Sequence, residues 1–352
     1  MFSEQATQSF LSIVTLVGFF VILIVQKTSS KIGNGILLDQ DFDKPQAFHT
    51  EPIPRSGGLA SFISLMFFIF IYNLLFGRIL NDYLFLSIIF FSLGFLEDIK
   101  IKTNPNIRLI FMIIALTLSI IFLSINIDNI DIGFLKLWTS NRFFEVSFIL
   151  LCFLFVINGA NLIDGFNGLL AINLIIINSV LLFINLNNNQ FEFSFFLTAQ
   201  IIILISFLLF NFPKAKMFLG DSGSNMLGFA VAFICIEYSQ NINHSSYINP
   251  VTTLWLVAIP LVDCVTVLTS RILKGIMPFR PGRDHLHHKL LNLGIKPKQI
   301  LVMFITLSVF LAGIGYSIEK FYPNKEYISF YLFLMISIFY YLISKDKLNA
   351  NV

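Results

Sequence analysis

Charge is scarce in this sequence. Of 352 residues only 12% are Asp, Glu, Lys or Arg, about half the share in an ordinary soluble domain. A soluble fold of this length needs a polar skin around its core. This chain cannot make one, because 56% of it is hydrophobic and its mean hydropathy is +0.82. A soluble globular enzyme and a disordered chain are both excluded. Cysteine is also rare. Cys152, Cys235 and Cys264 lie inside apolar runs, at no metal-type or disulfide-type spacing. Core packing is expected of them, and a disulfide-rich secreted domain is excluded. A large net charge is missing as well, and +3 implies no nucleic-acid partner. Glu4, not a basic region, precedes the first apolar run, Phe10–Val25, which lacks a small-residue cleavage site. It reads as a retained span, not a cleaved signal peptide.

What is abundant is apolar length. The 42 Phe residues sit mostly in long Ile/Leu/Phe runs. A transmembrane barrel would show short alternating segments instead. The fold expected is all-α, a polytopic membrane protein of 10–11 spans. At about 20 apolar residues per span, the runs fall near 6–26, 57–76, 83–97, 107–126, 145–163, 168–186, 193–211, 222–239, 251–271, 299–317 and 327–344. Two of these are short, and 222–239 starts with small residues. Eighteen of the 23 Lys and Arg residues fall in one alternating set of loops. That asymmetry places those loops in the cytoplasm, the N-terminus outside and the C-terminus inside. The segment 126–142 is expected as the largest external loop, with a short hairpin. The chain reads as one transmembrane domain, 1–352, whose cytoplasmic loops 27–56, 98–106, 212–221 and 272–298 carry the unusual polar residues.

Five clusters stand out, all on the cytoplasmic side of this topology. His49-Thr50-Glu51-Pro52-Ile53-Pro54-Arg55-Ser56-Gly57-Gly58 combines stiff prolines with glycines that permit close backbone approach. Taken alone it reads first as a rigid turn into the second span. Glu97-Asp98 places adjacent carboxylates at a membrane boundary, where they repel unless a cation is near; a solvated helix end is the competing reading. Asn158, Asn161 and Asp164 share about one face of a helix end, followed by Gly165, Asn167 and Gly168. Lys216-Met217-Phe218-Leu219-Gly220-Asp221-Ser222-Gly223-Ser224 sets Asp221 at the start of a small-residue helix. Such a position serves as a cap or holds Mg²⁺ against a phosphate. In Arg280-Pro281-Gly282-Arg283-Asp284-His285-Leu286-His287-His288-Lys289 three histidines lie among basic residues and no cysteine. That suits a pyrophosphate better than zinc. Asp263, several residues inside the ninth span, is a candidate by default for an intramembrane carboxylate. Its partner is expected to be a loop histidine or arginine, for catalysis or to hold that loop. Residues 299–352 carry no recognisable chemistry and are expected to complete the bundle.

Oxygen ligands without cysteine favour Mg²⁺, or Mn²⁺. The chemistry that fits is phosphoryl transfer between a water-soluble nucleotide compound and a lipid phosphate.

These motifs resemble those of the polyprenyl-phosphate N-acetylhexosamine-1-phosphate transferases, glycosyltransferase family 4, with its MraY and WecA branches. The resemblance covers nearly the whole chain. It rests on Asn158-x-x-Asn161-x-x-Asp164-Gly165 through Gly168-Leu169, on Phe218-Leu219-Gly220-Asp221-x-Gly223-Ser224, and on His285-Leu286-His287-His288. Pro54-Arg55-x-Gly57-Gly58 and the histidine motif are closer to the WecA branch. The resemblance implies transfer of an N-acetyl-amino-sugar 1-phosphate from a UDP-sugar to polyprenyl (undecaprenyl) phosphate, with release of UMP, at the start of a lipid-linked surface glycan. It implies a multi-pass protein of the bacterial inner membrane, with a homodimer as an option. By resemblance Asp221 and Asp98 are the metal candidates, and Asp98, Asp164 and Asp221 the catalytic set. Asn158, Asn161, Asn167, Lys216, Phe218, His285, His287, His288, His49 and Arg55 bind substrate, and Glu97 and Asp263 support them. Two positions depart from the family pattern: Glu97 stands where Asp is usual, and Asn167 where Asp is commoner. A transporter or lipid flippase, or an inactive scaffold of a glycan-assembly complex, is the alternative. Transporter sites usually lie at mid-membrane, whereas these groups gather at one interface.

Overall fold

The computed structural model describes residues 4–40, 51–76, 81–101, 104–187, 191–240, 247–277, 282, 284–323 and 325–346. The described chain is helical apart from one two-residue antiparallel ladder, β1 (Leu38–Asp39) with β2 (Ile53–Pro54), in the register Leu38↔Pro54 and Asp39↔Ile53. The helices are α1 (Glu4–Thr28), α2 (Gly57–Phe76), α3 (Asn81–Asp98), α4 (Pro105–Phe122), α5 (Gly133–Thr139), α6 (Arg142–Ile163), α7 (Leu169–Asn187), α8 (Phe191–Asn211), α9 (Gly220–Gln240), α10 (Pro250–Leu256), α11 (Ala258–Leu273), α12 (Leu286–Asn292), α13 (Pro297–Phe321) and α14 (Glu326–Asp346). Each expected span falls on a helix. Among the described residues eight helices are long and apolar enough to cross a membrane, and the pair α10–α11 would be a ninth. The chain is an all-α polytopic membrane protein.

Three details differ from the expectation. The span 251–271 is two helices bent by 81° at a break. The break is at Val257 and places Pro260 in the first turn of α11, where a missing N–H costs least. Within a single helix Pro260 would have left the Leu256 carbonyl without its donor. The expected hairpin in 126–142 is the seven-residue helix α5. Expected spans 83–97 and 222–239 form α3 and α9, but neither meets the length-and-apolarity test for crossing. α3 carries Asp82, Glu97 and Asp98, and α9 opens on Gly-Asp-Ser-Gly-Ser.

The chain divides into two compact units, Met1–Thr103 with Asn167–Ala230, and Asn104–Phe166 with Val231–Val352. In the first, α1, α2, α7 and α8 pack together and α3 packs on α2. Its core is aromatic. Phe90 stacks on Phe229 at 4.6 Å, and Tyr83, buried beside Phe196, accepts a hydrogen bond from Gln200 (2.9 Å). In the second, α6 packs on α4 and α11, while α10, α11, α13 and α14 pack together. Buried Trp255 donates to Ser329 Oγ (3.0 Å). The outward faces are as apolar as the cores: Ile13, Leu16, Phe20 and Ile24 form one exposed stripe on α1. Such a surface suits lipid, not water. The three cysteines are free thiols, Cys235 and Cys264 buried and Cys152 partly so, as core packing requires.

Candidate functional site

The first unit builds an acidic centre at the start of α9. The residues before this helix, Phe218 and Leu219, have no side chain that can cap it. The cap comes from the last residue of α3. Asp98 accepts hydrogen bonds from the N–H groups of Asp221 (2.9 Å) and Ser222 (2.9 Å) and from the Ser222 hydroxyl. Gly220 makes this possible. Its φ is +79°, and a Cβ there would lie 2.6 Å from both Asp98 carboxylate oxygens. Asp98 is 1% exposed and Asp221 half-buried. Burial, and then the Asp221 charge, raise the Asp98 pKa.

Arg55, following β2, is the cation that answers this charge. Its Nε and Nη2 donate to Asp39 Oδ2 on β1 (2.9 and 2.7 Å). Burial works against the guanidinium charge, but Asp39, Asp221 and Asp98 hold its pKa above the usual value. The backbone here is fastened to the segment before α9. Phe218 N–H donates to Pro54 (2.9 Å), Gly57 to Phe218 (2.9 Å) and Gly58 to Leu219 (2.6 Å). Phe218 is therefore held half-buried in a defined place, while Lys216 is exposed. Asn167 Nδ2 donates to the Pro213 carbonyl (3.2 Å). Asn211 links the same two segments, accepting from Gly168 N–H (2.6 Å) and donating to the Met217 carbonyl (2.9 Å).

Two neighbouring carboxylates with no third His, Cys, Asp or Glu ligand among the described residues suit an ion that keeps waters and substrate phosphates as its other ligands. Mg²⁺ is commonly held that way. The residues fit such an ion through Asp221. Asp98, expected as a second ligand, turns both oxygens to the N–H groups of α9 and so holds Asp221 in place.

The second unit builds a histidine centre. At its edge α6 ends with Asp164 in the C-cap position (φ −72°, ψ 37°). Asn158 Nδ2 donates within its own helix to Leu154 (2.8 Å), and Asn161 and Asp164 are half-buried. The room left by Gly165 is filled: a Cβ there would lie 2.7 Å from His287 Nε2. The Phe166 ring meets His287 edge-on at 5.1 Å.

The histidine loop is buried. His285, His287 and His288 are 1%, 0% and 3% exposed. α12 is again capped from another helix. Asp263 Oδ1 accepts from Leu286 N–H (3.2 Å) and the Tyr340 hydroxyl (2.8 Å), and Oδ2 faces His285 Nδ1 (2.8 Å). The expected loop-histidine partner of Asp263 is thus His285. Two more fasteners act alongside: Arg271 Nε donates to Asp284 (2.9 Å), and Lys289 Nζ to the Ser344 carbonyl (2.7 Å). Burial pushes the His287 pKa down to about 3, so this ring is neutral at physiological pH. His49 lies outside the described residues. Glu97 sits half-buried at the end of α3. A cavity of about 390 Å³ in the second unit is lined by Asp128, Asp131, Lys136 and Glu326 among others; no expected site residue lines it.

Sequence reasoning missed Asp39, Asn211, Arg271 and Tyr340, and took in Asp284 only as part of the histidine cluster, with no role of its own. Asp39 and Asp284 are ordinary loop acids until pairing reveals them. Tyr340 is one of ten tyrosines, in a run expected only to complete the bundle.

The glycosyl transferase family 4 model matches residues 80–239. This stretch holds Asp98, Asn158, Asp164, Asn167 and Asp221. Three relatives carry the same name, undecaprenyl-phosphate alpha-N-acetylglucosaminyl 1-phosphate transferase. The one from Escherichia coli O157:H7 is 33% identical over 192 residues, 52% of this chain and 51% of that protein. That alignment spans only about half the length of the relative. The one from Salmonella typhi is 26% identical over 327 residues, 91% of this chain and 86% of that protein. The one from Haemophilus influenzae is 29% identical over 347 residues, 94% of this chain and 92% of that protein.

Proposed function

We propose that the chain belongs to glycosyl transferase family 4, on the match over residues 80–239 and the likeness to the relatives named above, and that it transfers a sugar 1-phosphate from a UDP-N-acetyl sugar to undecaprenyl phosphate. An oxygen of the lipid phosphate forms a bond to the β-phosphorus. The bond from that phosphorus to the bridging oxygen breaks, and UMP leaves with the electron pair. The names of the relatives make N-acetylglucosamine the first donor to test. They give no support to a transporter or flippase. The setting proposed is the bacterial inner membrane, with both centres and the C-terminus on the cytoplasmic side, in keeping with the loop charges.

The observation that carries this reading is the acidic centre. Asp98 locks the start of α9 and holds Asp221 beside it, with Arg55 as the nearby cation. Asp221 would hold Mg²⁺, which supplies charge neutralisation of the diphosphate. Arg55 stabilises charge on the departing phosphate. Phe218 offers a ring for the uracil, with Lys216 and Asn167 as polar contacts to the nucleotide. For Asn158, Asn161 and Asp164 the family resemblance supports a role towards the nucleotide and diphosphate, and for the histidine loop a role towards polar groups of the donor. A lipid monophosphate already carries negative charge near neutral pH, so the task of these residues is positioning more than deprotonation.

The test is UMP release by purified protein given undecaprenyl phosphate, Mg²⁺ and a panel of UDP-N-acetyl sugars. The reading expects UMP with a single donor, abolished by EDTA or by omitting the lipid. Folded protein that releases no UMP with any donor would overturn it.

A further inference from the structure

α14 looks like a plain lipid-facing helix. Ile338, Phe339 and Leu342 are 59%, 64% and 47% exposed. One stripe of it turns inward: Ser329, Phe333, Tyr340 and Ser344, at helical spacing. At one end this stripe does ordinary packing, with Ser329 bonded to the indole of Trp255 and Phe333 edge-on to its ring at 5.3 Å. At the other end it meets the histidine loop. Tyr340 donates to Asp263 Oδ1, and the Ser344 carbonyl accepts from Lys289. Tyr340 is half-buried, and an aromatic whose hydroxyl points inward keeps it where that hydroxyl has a partner. Packing alone would be served by Phe, which α14 uses at three other positions.

The partner is a carboxylate with nothing left to choose. Oδ1 of Asp263 holds two donors, the Tyr340 hydroxyl and the Leu286 N–H, which leaves Oδ2 for His285 Nδ1. An ionised carboxylate only accepts, so the hydrogen of that contact sits on Nδ1. In the neutral ring Nε2 is then bare. It is buried and has no hydrogen-bond partner among the described residues.

We propose that Asp263 fixes the tautomer of His285, with hydrogen on Nδ1 and a lone pair on Nε2, and that Tyr340 is a positioning residue that orients the Asp263 carboxylate for this. This rests on the transferase reading for its catalytic meaning. In that tautomer His285 does not donate to a phosphate oxygen. It accepts from an O–H or N–H of the UDP-sugar. The loop histidine then reads a donor group on the substrate, and the helix that seemed to fill space sets which way it reads.

The relay makes a prediction that a merely structural role does not. In Asp263→Asn, Tyr340 and Leu286 still donate to Oδ1. The amide nitrogen is then turned towards His285, which must accept at Nδ1, and its hydrogen moves to Nε2. Adding Tyr340→Phe removes one of the two pins on the amide, so the double variant should populate both tautomers. The measurement is ¹⁵N NMR of histidine-labelled protein at pH 7.5, with His285 assigned from the spectrum of His285→Gln. Expected are Nδ1–H in the wild type, Nε2–H in Asp263→Asn, and a mixture in the double variant. Tyr340→Phe alone should keep its thermal midpoint and its KM for the UDP-sugar, while kcat falls about tenfold. Asp263→Asn should lose about a hundredfold or more. An Nδ1–H signal that persists in Asp263→Asn would overturn the proposal. So would a double variant identical to the single one, or a wild-type ring protonated on both nitrogens. If the wild type releases no UMP from any donor, the transferase reading fails and the nitrogen shifts alone decide the relay.

Discussion

Asp98 in the first unit and Asp263 in the second are built alike and behave differently. Each is a buried carboxylate that accepts three hydrogen bonds, and each caps a helix from another helix. The difference is the neighbour. Beside Asp98 stands another carboxylate, Asp221, which adds to burial in raising the Asp98 pKa. Beside Asp263 stands an imidazole, His285. With Arg55 bonded to Asp39, the first centre sets three carboxylates against one guanidinium, so we expect it to favour an arriving cation. The second is complete within the protein and has no need of one. One local device therefore gives a ligand-hungry site or a rigid support, according to a single adjacent side chain.

The largest test of this contrast is Asp221→Asn. It leaves the cap intact, since the cap uses the backbone N–H of residue 221. We expect kcat to fall by at least about a thousandfold, roughly 4 kcal/mol, with the protein folded. Mg²⁺ should raise the thermal midpoint of the wild type and not of this variant. Unchanged turnover in saturating Mg²⁺ would remove Asp221 from the site.

The second test compares the two caps. Asp98→Ala and Asp263→Ala each strand three donors, at about 1–3 kcal/mol for each one left buried. Only Asp98→Ala also relieves a like-charge pair. In EDTA, Asp263→Ala should therefore be the less stable variant, by about 1–2 kcal/mol, in a thermal unfolding comparison. Equal losses would mean that the Asp221 charge is not felt at Asp98.

A third test uses pH. With its pKa lowered to about 3, folded His287 stays neutral while the unfolded ring titrates near 6.5. Its burial costs nothing above that value. As pH falls towards 3 the unfolded chain takes a proton that the folded state refuses, and stability drops by up to about 1.4 kcal/mol per pH unit. Thermal midpoints from pH 7 to pH 4 should fall less steeply in His287→Gln than in the wild type. The smallest effect expected is that of Glu97→Asp. Glu97 takes no part in the Asp98 cap, so UMP release should stay within about threefold. A loss of more than a hundredfold would show that the longer side chain matters in this branch.

The long apolar runs made nearly all of the helices legible, because each run had to satisfy its own backbone inside a membrane. The short helices were not legible. α12 is seven residues long, too short for any periodicity to stand out. The break at Val257 had a signal in Pro260, but a proline three residues from a break reads equally well as a kink. The motifs around Asp164, Asp221 and His285 were visible because polar residues in apolar surroundings are costly and few. Their partners were hidden. Asp39 pairs with Arg55 across 16 residues, and Asp98 with Ser222 across 124. Nothing local in the chain marks such a pair.

By itself, then, the sequence determined that this is a polytopic helical membrane protein with acidic, amide and histidine motifs at the ends of its spans. Hydropathy and residue type suffice for that, because they act residue by residue. Only the tertiary structure decided what each motif touches. It made Asp98 a cap for α9, filled the space beside Gly165 with His287, and gave Tyr340 of an apparently inert helix to Asp263. Hydrogen bonds between distant segments depend on packing to within a few tenths of an ångström, and no residue carries that information alone.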